Sequence, residues 1–271
     1  HCFLAGKEKQ KTLLIPKFSW WYYKSIADEV EGRSVLYPLY EEGNTFKYDF
    51  KAMQEAVERE KPEMVLIASP NNPTGNSLTA EELDKVLSFI DPATAVVIDE
   101  AYASFANQDT SYIKPLLEKF PNLLIVRTLS KFYGLPGLRL GFAFMGTSLT
   151  RFLNYSTKYL GYNRLSEELG IAVLKATDYY QRVADQMAED RQMYIDELQP
   201  LEGFKVYESN ANFMLVKYPI ELKEKLQAAF KAKGYLIKFM NEADINTHMR
   251  ITLGTHHQNC QVIETIKEVV C

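Results

Sequence analysis

The feature that most constrains this chain is a rhythm. Short runs of aliphatic and β-branched residues alternate with longer stretches of helical period. The runs of the first half are Thr12 to Ile15, Val35 to Leu39, Met64 to Ala68, Ala95 to Ile98, Leu123 to Val126 and Leu138 to Phe144. The helical stretches Trp20 to Glu31, Phe50 to Glu60, Glu81 to Ile90 and Tyr112 to Lys119 lie between them. Thr79, followed three residues later by Glu82, is a capping box that opens the third of these. Strands that alternate with helices lie side by side and parallel, with helices on both faces. The predicted class is therefore α/β, built on a mostly parallel sheet whose ligands sit beyond the carboxyl ends of the strands.

Past Leu149 the rhythm changes. Ser166 to Leu198 reads as helical, with a break near Ala176-Thr177-Asp178. Phe204 to Tyr207 and Phe213 to Val216 read as strands, followed by a helix over Glu221 to Lys233. Strands over Tyr235 to Phe239 and Met249 to Leu253 and a helix over Asn259 to Val270 complete the pattern. This predicts a large domain over 1–150, a connecting helical segment over 151–200 and a smaller α+β C-terminal domain over 201–271. No internal repeat or low-complexity segment interrupts the chain.

Charge and cysteine usage narrow the function. The formal net charge of -4 gives no basic field for nucleic acid or an anionic membrane, and no apolar run approaches the ~20 residues a membrane helix needs. Neither partner is expected. Cys2, Cys260 and Cys271 lack the Cys-x-x-Cys spacing of zinc or redox sites, so no metal is expected. Their odd number and the absence of a secretory apolar region predict a reducing, cytoplasmic home. The chain opens at His1-Cys2-Phe3-Leu4, without an initiator methionine and inside an amphipathic pattern, which predicts that the large domain is incomplete at its N-terminus.

Three clusters at strand ends carry the chemistry. In Ser69-Pro-Asn-Asn-Pro-Thr-Gly75, two prolines flank Asn71-Asn72 and restrict the backbone so that an amide is held in one orientation; the same residues also suit a plain turn. In Val96-Val-Ile-Asp99-Glu100-Ala-Tyr102, a carboxylate ends a buried run and requires a cationic or donor partner. That partner is a protonated heterocyclic nitrogen, a nucleotide-bound magnesium, or a structural cation or helix cap. The magnesium reading normally comes with a Gly-x-x-x-x-Gly-Lys-Ser/Thr loop, which the chain lacks. In Arg127-Thr-Leu-Ser-Lys131 a lysine follows a strand in a glycine-containing loop, with Arg139 eight residues on. A lysine there can form a Schiff base while an arginine grips an anion, although each alone also suits a solvated surface.

At these residues the sequence resembles the fold-type I pyridoxal-phosphate aminotransferases of class I and II, and among them the histidinol-phosphate aminotransferase group. The motifs SPNNPTG, VVIDEAY, RTLSK and MRITLGT carry the likeness, which runs from about Ile15 to Thr255. The resemblance implies that Lys131 forms a Schiff base with pyridoxal 5'-phosphate and shuttles the Cα proton, while Asp99 keeps the pyridine nitrogen protonated. It implies further that Asn72 and Tyr102 bond the phenolic oxygen, that Thr128, Ser130 and Arg139 hold the phosphate, and that Phe18 stacks on the ring. Arg250 matches the clamp for the substrate carboxylate, and Asn212 and Lys238 fall in segments lining the substrate pocket. The implied reaction moves an amino group between an amino acid or amine, histidinol phosphate among them, and a 2-oxo acid. A homodimer is implied as well.

The chain departs from the family in places. The resemblance places the family's N-terminal arm and a glycine-containing phosphate loop ahead of the helix that His1 enters, so the large domain is expected to lack both. Lys238 stands where the group usually has an arginine, and Lys158 to Arg164 lacks the usual proline. Two competing readings are a threonine-phosphate decarboxylase and a non-catalytic fragment.

Overall fold

The computed structural model describes Leu4 and residues 10–106, 109–153 and 163–270. Its organising element is a six-stranded sheet of order β2-β1-β5-β6-β7-β8. The strands are β1 (Thr12–Pro16), β2 (Arg33–Tyr37), β5 (Met64–Ala68), β6 (Ala95–Asp99), β7 (Leu123–Thr128) and β8 (Gly141–Met145). All pairings are parallel except β7 with β8, which is antiparallel. The sheet is thus the mostly parallel one its sequence rhythm predicts.

Successive residues of a strand point to opposite faces, so a sheet covered on both sides buries every position. β1 is buried throughout. Leu13 and Ile15 pack with Tyr23 and Ala27 of helix α1 (Tyr22–Asp28), whereas Leu14 joins the main core formed with α2 (Phe50–Glu60), α3 (Ala80–Ser88) and α4 (Ile113–Lys119). Thr79 caps α3 with both bonds of a capping box.

Several boundaries differ from the sequence expectation for local reasons. Pro38 ends β2 at Tyr37, and a separate hairpin follows, β3 (Leu39–Glu42) and β4 (Thr45–Tyr48). Its turn is Gly43-Asn44, with Gly43 at φ 56°, a pair that favours tight hairpins. β8 begins at Gly141, not Leu138, because Pro136–Leu138 form a 3₁₀ turn and Arg139 is left-handed at φ 54°. The long helix divides at Ala176 into Arg164–Lys175 and Thr177–Leu198. Of Tyr235 to Phe239, only Lys238–Phe239 is a strand.

A second, antiparallel sheet has the order β11-β12-β10-β9, built from β9 (Lys205–Val206), β10 (Phe213–Lys217), β11 (Lys238–Phe239) and β12 (His248–Thr252). Met214, Val216, Met249 and Ile251 pack into a core with Tyr194 and Leu198 and with the helices Lys223–Ala232 and His256–Val270. Leu215, on the opposite face of β10, joins the main core with Tyr207, Met240 and Ile245. Arg250 pairs in register with Leu215 and so belongs to the face turned toward the large sheet.

Candidate active site

The parallel register aligns three strand ends. Ala68 pairs with Asp99, and Asp99 with Val126, so β5 and β6 end at one level and β7 runs two residues farther, to Thr128. Beyond that level lies a cavity of about 350 Å³, lined by Trp20, Trp21, Tyr23, Pro70, Asn72, Asp99, Ala101, Tyr102, Lys131, Lys238 and Arg250. Six of the residues singled out in the sequence meet there: Asn72, Asp99, Tyr102, Lys131, Lys238 and Arg250.

Asp99 is held from both sides. Its Oδ1 accepts from the Ala101 amide at 2.9 Å and its Oδ2 from the Tyr23 hydroxyl at 2.6 Å. Burial, reinforced by the Asp99 charge, raises the Tyr23 pKa well above its ordinary value, so this hydroxyl remains a donor. No sequence spacing ties Tyr23 to Asp99, because it reaches the carboxylate from a helix two strands away in the sheet.

The turn after β5 assigns its two asparagines different work. Asn71 is fully buried; its Nδ2 donates to Phe18 O and to Thr74 Oγ1, each at 2.6 Å, while its backbone carbonyl accepts from Gly75 N at 2.8 Å. Asn71 therefore braces the turn and Asn72 faces the cavity. Gly75 has φ 77°, and a Cβ there would stand 2.6 Å from Ser209 Oγ, so the residue must be glycine for the segment before β10 to approach. Asn210 N donates to Gly75 O across the same contact at 2.8 Å.

Arg250 reaches from the second sheet into the first. Its Nη1 donates to Asn72 Oδ1 at 2.6 Å, which leaves the Asn72 NH₂ as the end that donates toward a ligand. The Arg250 guanidinium lies 5.3 Å from the Phe213 ring centre, Phe213 meets Tyr102 edge-on at 5.2 Å, and Lys131 Nζ lies 5.5 Å from the Tyr102 ring centre. The Arg250 Nε is buried without a hydrogen-bond partner. A buried donor of this kind on a cavity wall is built for an acceptor that arrives with a ligand.

Beneath the site, Arg127 Nε donates to Glu100 Oε2 at 2.8 Å, and the two side chains are 8% and 3% exposed. Tyr112 donates to the other carboxylate oxygen and accepts from Arg127 Nη2 at 3.1 Å. Burial lowers the Arg127 pKa, but the Glu100 charge and hydrogen bond outweigh it and leave the pKa raised. This buried pair ties the end of β6 to β7, and with it Asp99 to the loop that carries Lys131.

Other sequence expectations land elsewhere. Phe18 is buried in the main core, edge-on to Phe46 at 6.0 Å, because its carbonyl is held by Asn71 and its ring turns inward; Trp20 and Trp21 form the aromatic wall in its place. Asn212 is not part of the wall; its carbonyl accepts from Leu253 N at 2.8 Å and extends the pairing of β10 with β12. Thr128, Ser130 and Arg139 share the loop that holds Lys131 but stand outside the cavity lining. Thr128 Oγ1 donates to Leu140 O at 3.2 Å and accepts from Ser130 N at 3.0 Å, and the exposed Arg139 donates to Pro136 O at 3.1 Å. Cys2, Cys271 and most of Lys158 to Arg164 lie outside the described residues. Among the described residues no group of side chains suits a metal ion, and no helix is long and apolar enough to cross a membrane.

The chemistry of this donor set suits a flat, anionic heterocycle with an electrophilic carbon: an amine, a carboxylate placed by two donors, an amide NH₂, a phenol and an indole wall. Comparison with known proteins agrees. The family model described as aminotransferase class I and II matches residues 1–266. The chain is 32% identical over 263 residues to histidinol-phosphate aminotransferase 2 of Archaeoglobus fulgidus, covering 97% of this chain and 72% of that protein. In fold it matches the histidinol-phosphate aminotransferase of Sinorhizobium meliloti, solved with pyridoxal-5'-phosphate, with a TM-score of 0.85 at 24% identity over 98% of this chain and 72% of that one. It also matches a decarboxylase from Sulfurospirillum multivorans with a TM-score of 0.84 at 25% identity, over 100% of this chain and 78% of that one.

Proposed function

The chain belongs to the class I and II aminotransferases, and on that footing we propose that its cavity is the catalytic centre of a pyridoxal-phosphate-dependent transaminase acting through Lys131. The family exchanges an amino group between an amino acid or amine and a 2-oxo acid. Pyridoxal phosphate, when bound, supplies a carbonyl that condenses reversibly with amines and a ring that accepts the electron pair left at Cα.

The chain's own residues do the rest. Lys131 would be the amine for covalent attachment and the base that takes and returns the Cα proton. Asp99, fixed by Ala101 N and Tyr23, would present its carboxylate to a protonated ring nitrogen. Asn72 and Tyr102, which line the cavity, would donate to the cofactor's phenolic oxygen, and Trp20 and Trp21 would wall its ring. In this reading Thr128 at the end of β7, with Ser130 and Arg139 on the loop of Lys131, would be the phosphate contacts, although they stand outside the cavity lining. Arg250 clamps the substrate carboxylate, and the unpartnered Nε is the observation that supports this most directly.

Substrate choice follows from Lys238. It pairs in register with Arg250 and lines the same cavity, so a substrate clamped at one end by Arg250 meets a second cation along its length. Histidinol phosphate, with a distal phosphate, suits that arrangement; lysine meets the phosphate as a point charge without arginine's fork. Cytoplasmic residence and a homodimer belong to the same proposal. Leu165, Leu169, Ile171 and Leu174 are all exposed, distributed around the helix Arg164–Lys175, and this apolar area is what a second copy would cover.

The test is an assay with histidinol phosphate and a 2-oxo acid. Amino transfer to the oxo acid is the expected outcome. The fold's likeness to a decarboxylase supplies the second reading, and carbon dioxide release without transfer to any acceptor would establish it in place of the first.

A further inference from the structure

Outside the catalytic cavity, one cluster of side chains has the form of an activated nucleophile. His256 and Cys260 lie four residues apart on the helix His256–Val270, a spacing that brings them onto one face. The Cys260 thiol is free and partly exposed, and its Sγ is 3.7 Å from His256 Nε2. The other ring nitrogen, Nδ1, is 2.6 Å from Asp190 Oδ1. Asp190, from the helix Thr177–Leu198, is 1% exposed, whereas the His256 side chain is 59% exposed.

The carboxylate is set in place independently of the histidine. Asn259 Nδ2 donates to Asp190 Oδ2 at 2.8 Å, and Asn259 Oδ1 accepts from Gly254 N at 2.9 Å, so both ends of that amide are used. Asp190 thus orients the imidazole through Nδ1, and the imidazole presents Nε2 to the sulfur. Thiol, imidazole and carboxylate in this order are the arrangement by which a base and its orienting group make a nucleophile at neutral pH.

We propose that Cys260 is a covalent modification site for soft carbon electrophiles of the α,β-unsaturated carbonyl class, activated by His256 and positioned by Asp190. In the step, the thiol proton passes to His256 Nε2 and the sulfur attacks the β-carbon. The carbon–carbon π bond breaks, its electron pair moves to the α-carbon, and that carbon takes up one proton from His256 or water. No oxidant or second reactant is consumed. The groups facing the sulfur are His256 on its own helix and Met193, whose Sδ is 3.8 Å away, on the helix Thr177–Leu198. Burial pushes the pKa of Tyr194 on that helix upward, and the Asp190 charge adds to the effect, so it stays a neutral hydroxyl.

The experiment measures the rate of N-ethylmaleimide addition at Cys260 in the folded full chain, by peptide mass spectrometry, at pH 6.5 and 7.5. Access to the thiol scales both rates equally, so their ratio reports activation alone. An ordinary thiol, with a pKa of ~8.5, slows about tenfold over that unit. The folded wild type is expected to slow no more than about threefold, and the same chain in urea about tenfold. His256→Gln, at an exposed position, is expected to restore the roughly tenfold dependence without altering the fold. Asp190→Asn, judged only if its circular dichroism matches the wild type, is expected to shift the ratio in the same direction. A folded ratio near ten, or a small ratio that His256→Gln leaves unchanged, would overturn the proposal.

Discussion

Replacing Arg127 with methionine tests how the site is held together. Methionine keeps most of the apolar stem but removes the charge that faces Glu100, whose side chain is 3% exposed. The carboxylate then keeps the Tyr112 hydroxyl and loses its cation. Removing one partner of a buried pair costs ~3–5 kcal/mol, because the remaining charge is uncompensated. Glu100→Gln alone strands the guanidinium and is expected to cost about as much. The double variant carries no buried charge, so it should lie within ~2 kcal/mol of wild type, far short of the sum of the two single costs. Urea unfolding of all four chains, followed by circular dichroism, gives the cycle. A loss below about 1 kcal/mol for Arg127→Met, or costs that simply add, would refute the reasoning. The single variants should also lose cofactor affinity, since the pair joins the end of β6, where Asp99 sits, to the strand leading into Lys131.

Other outcomes follow from individual contacts. Tyr23→Phe removes a hydrogen bond to a charged carboxylate, worth ~1.5–3 kcal/mol, and should weaken pyridoxal phosphate binding roughly tenfold or more in a fluorescence titration, whereas unchanged affinity would remove Tyr23 from the site. Arg250→Lys keeps the charge and loses the fork; KM for the amino substrate should rise by roughly 10- to 100-fold, with an unchanged urea midpoint. His248, 4% exposed and bonded to Tyr207 at 3.1 Å, has its pKa lowered to about 4 by burial, with the Lys217 charge adding to the effect. The unfolded chain takes up this proton first. Its stabilising effect is therefore full above about pH 6.5 and is lost as pH falls toward 4, roughly 3 kcal/mol in all. His248→Gln should flatten that slope in denaturation measured from pH 7 to 4.

Sequence reading reached the residues whose position follows from topology. Asn72, Asp99 and Lys131 follow the ends of three adjacent parallel strands, and alternating patterns place strand ends well. Arg250 and Lys238 stand out as cations in otherwise apolar strands. What escaped depends on the third dimension. Tyr23 reaches Asp99 from a helix distant in sequence, and whether Phe18 or the tryptophans two and three residues later face the cavity turns on the hydrogen bond from Asn71 to the Phe18 carbonyl. The Glu100–Arg127–Tyr112 cluster joins residues 27 and 12 positions apart, and it is the pairing of β6 with β7 that brings them together. The β3–β4 hairpin was legible in principle, since Gly43-Asn44 lies between two strand-forming runs.

The central claim, that Lys131 is the covalent anchor of the cavity, is tested most directly by borohydride reduction of the chain incubated with pyridoxal phosphate, followed by peptide mapping. The expected result is one phosphopyridoxyl adduct at Lys131, absent from Lys131→Ala with its fold intact. An adduct at another lysine, undiminished in Lys131→Ala, would contradict the account.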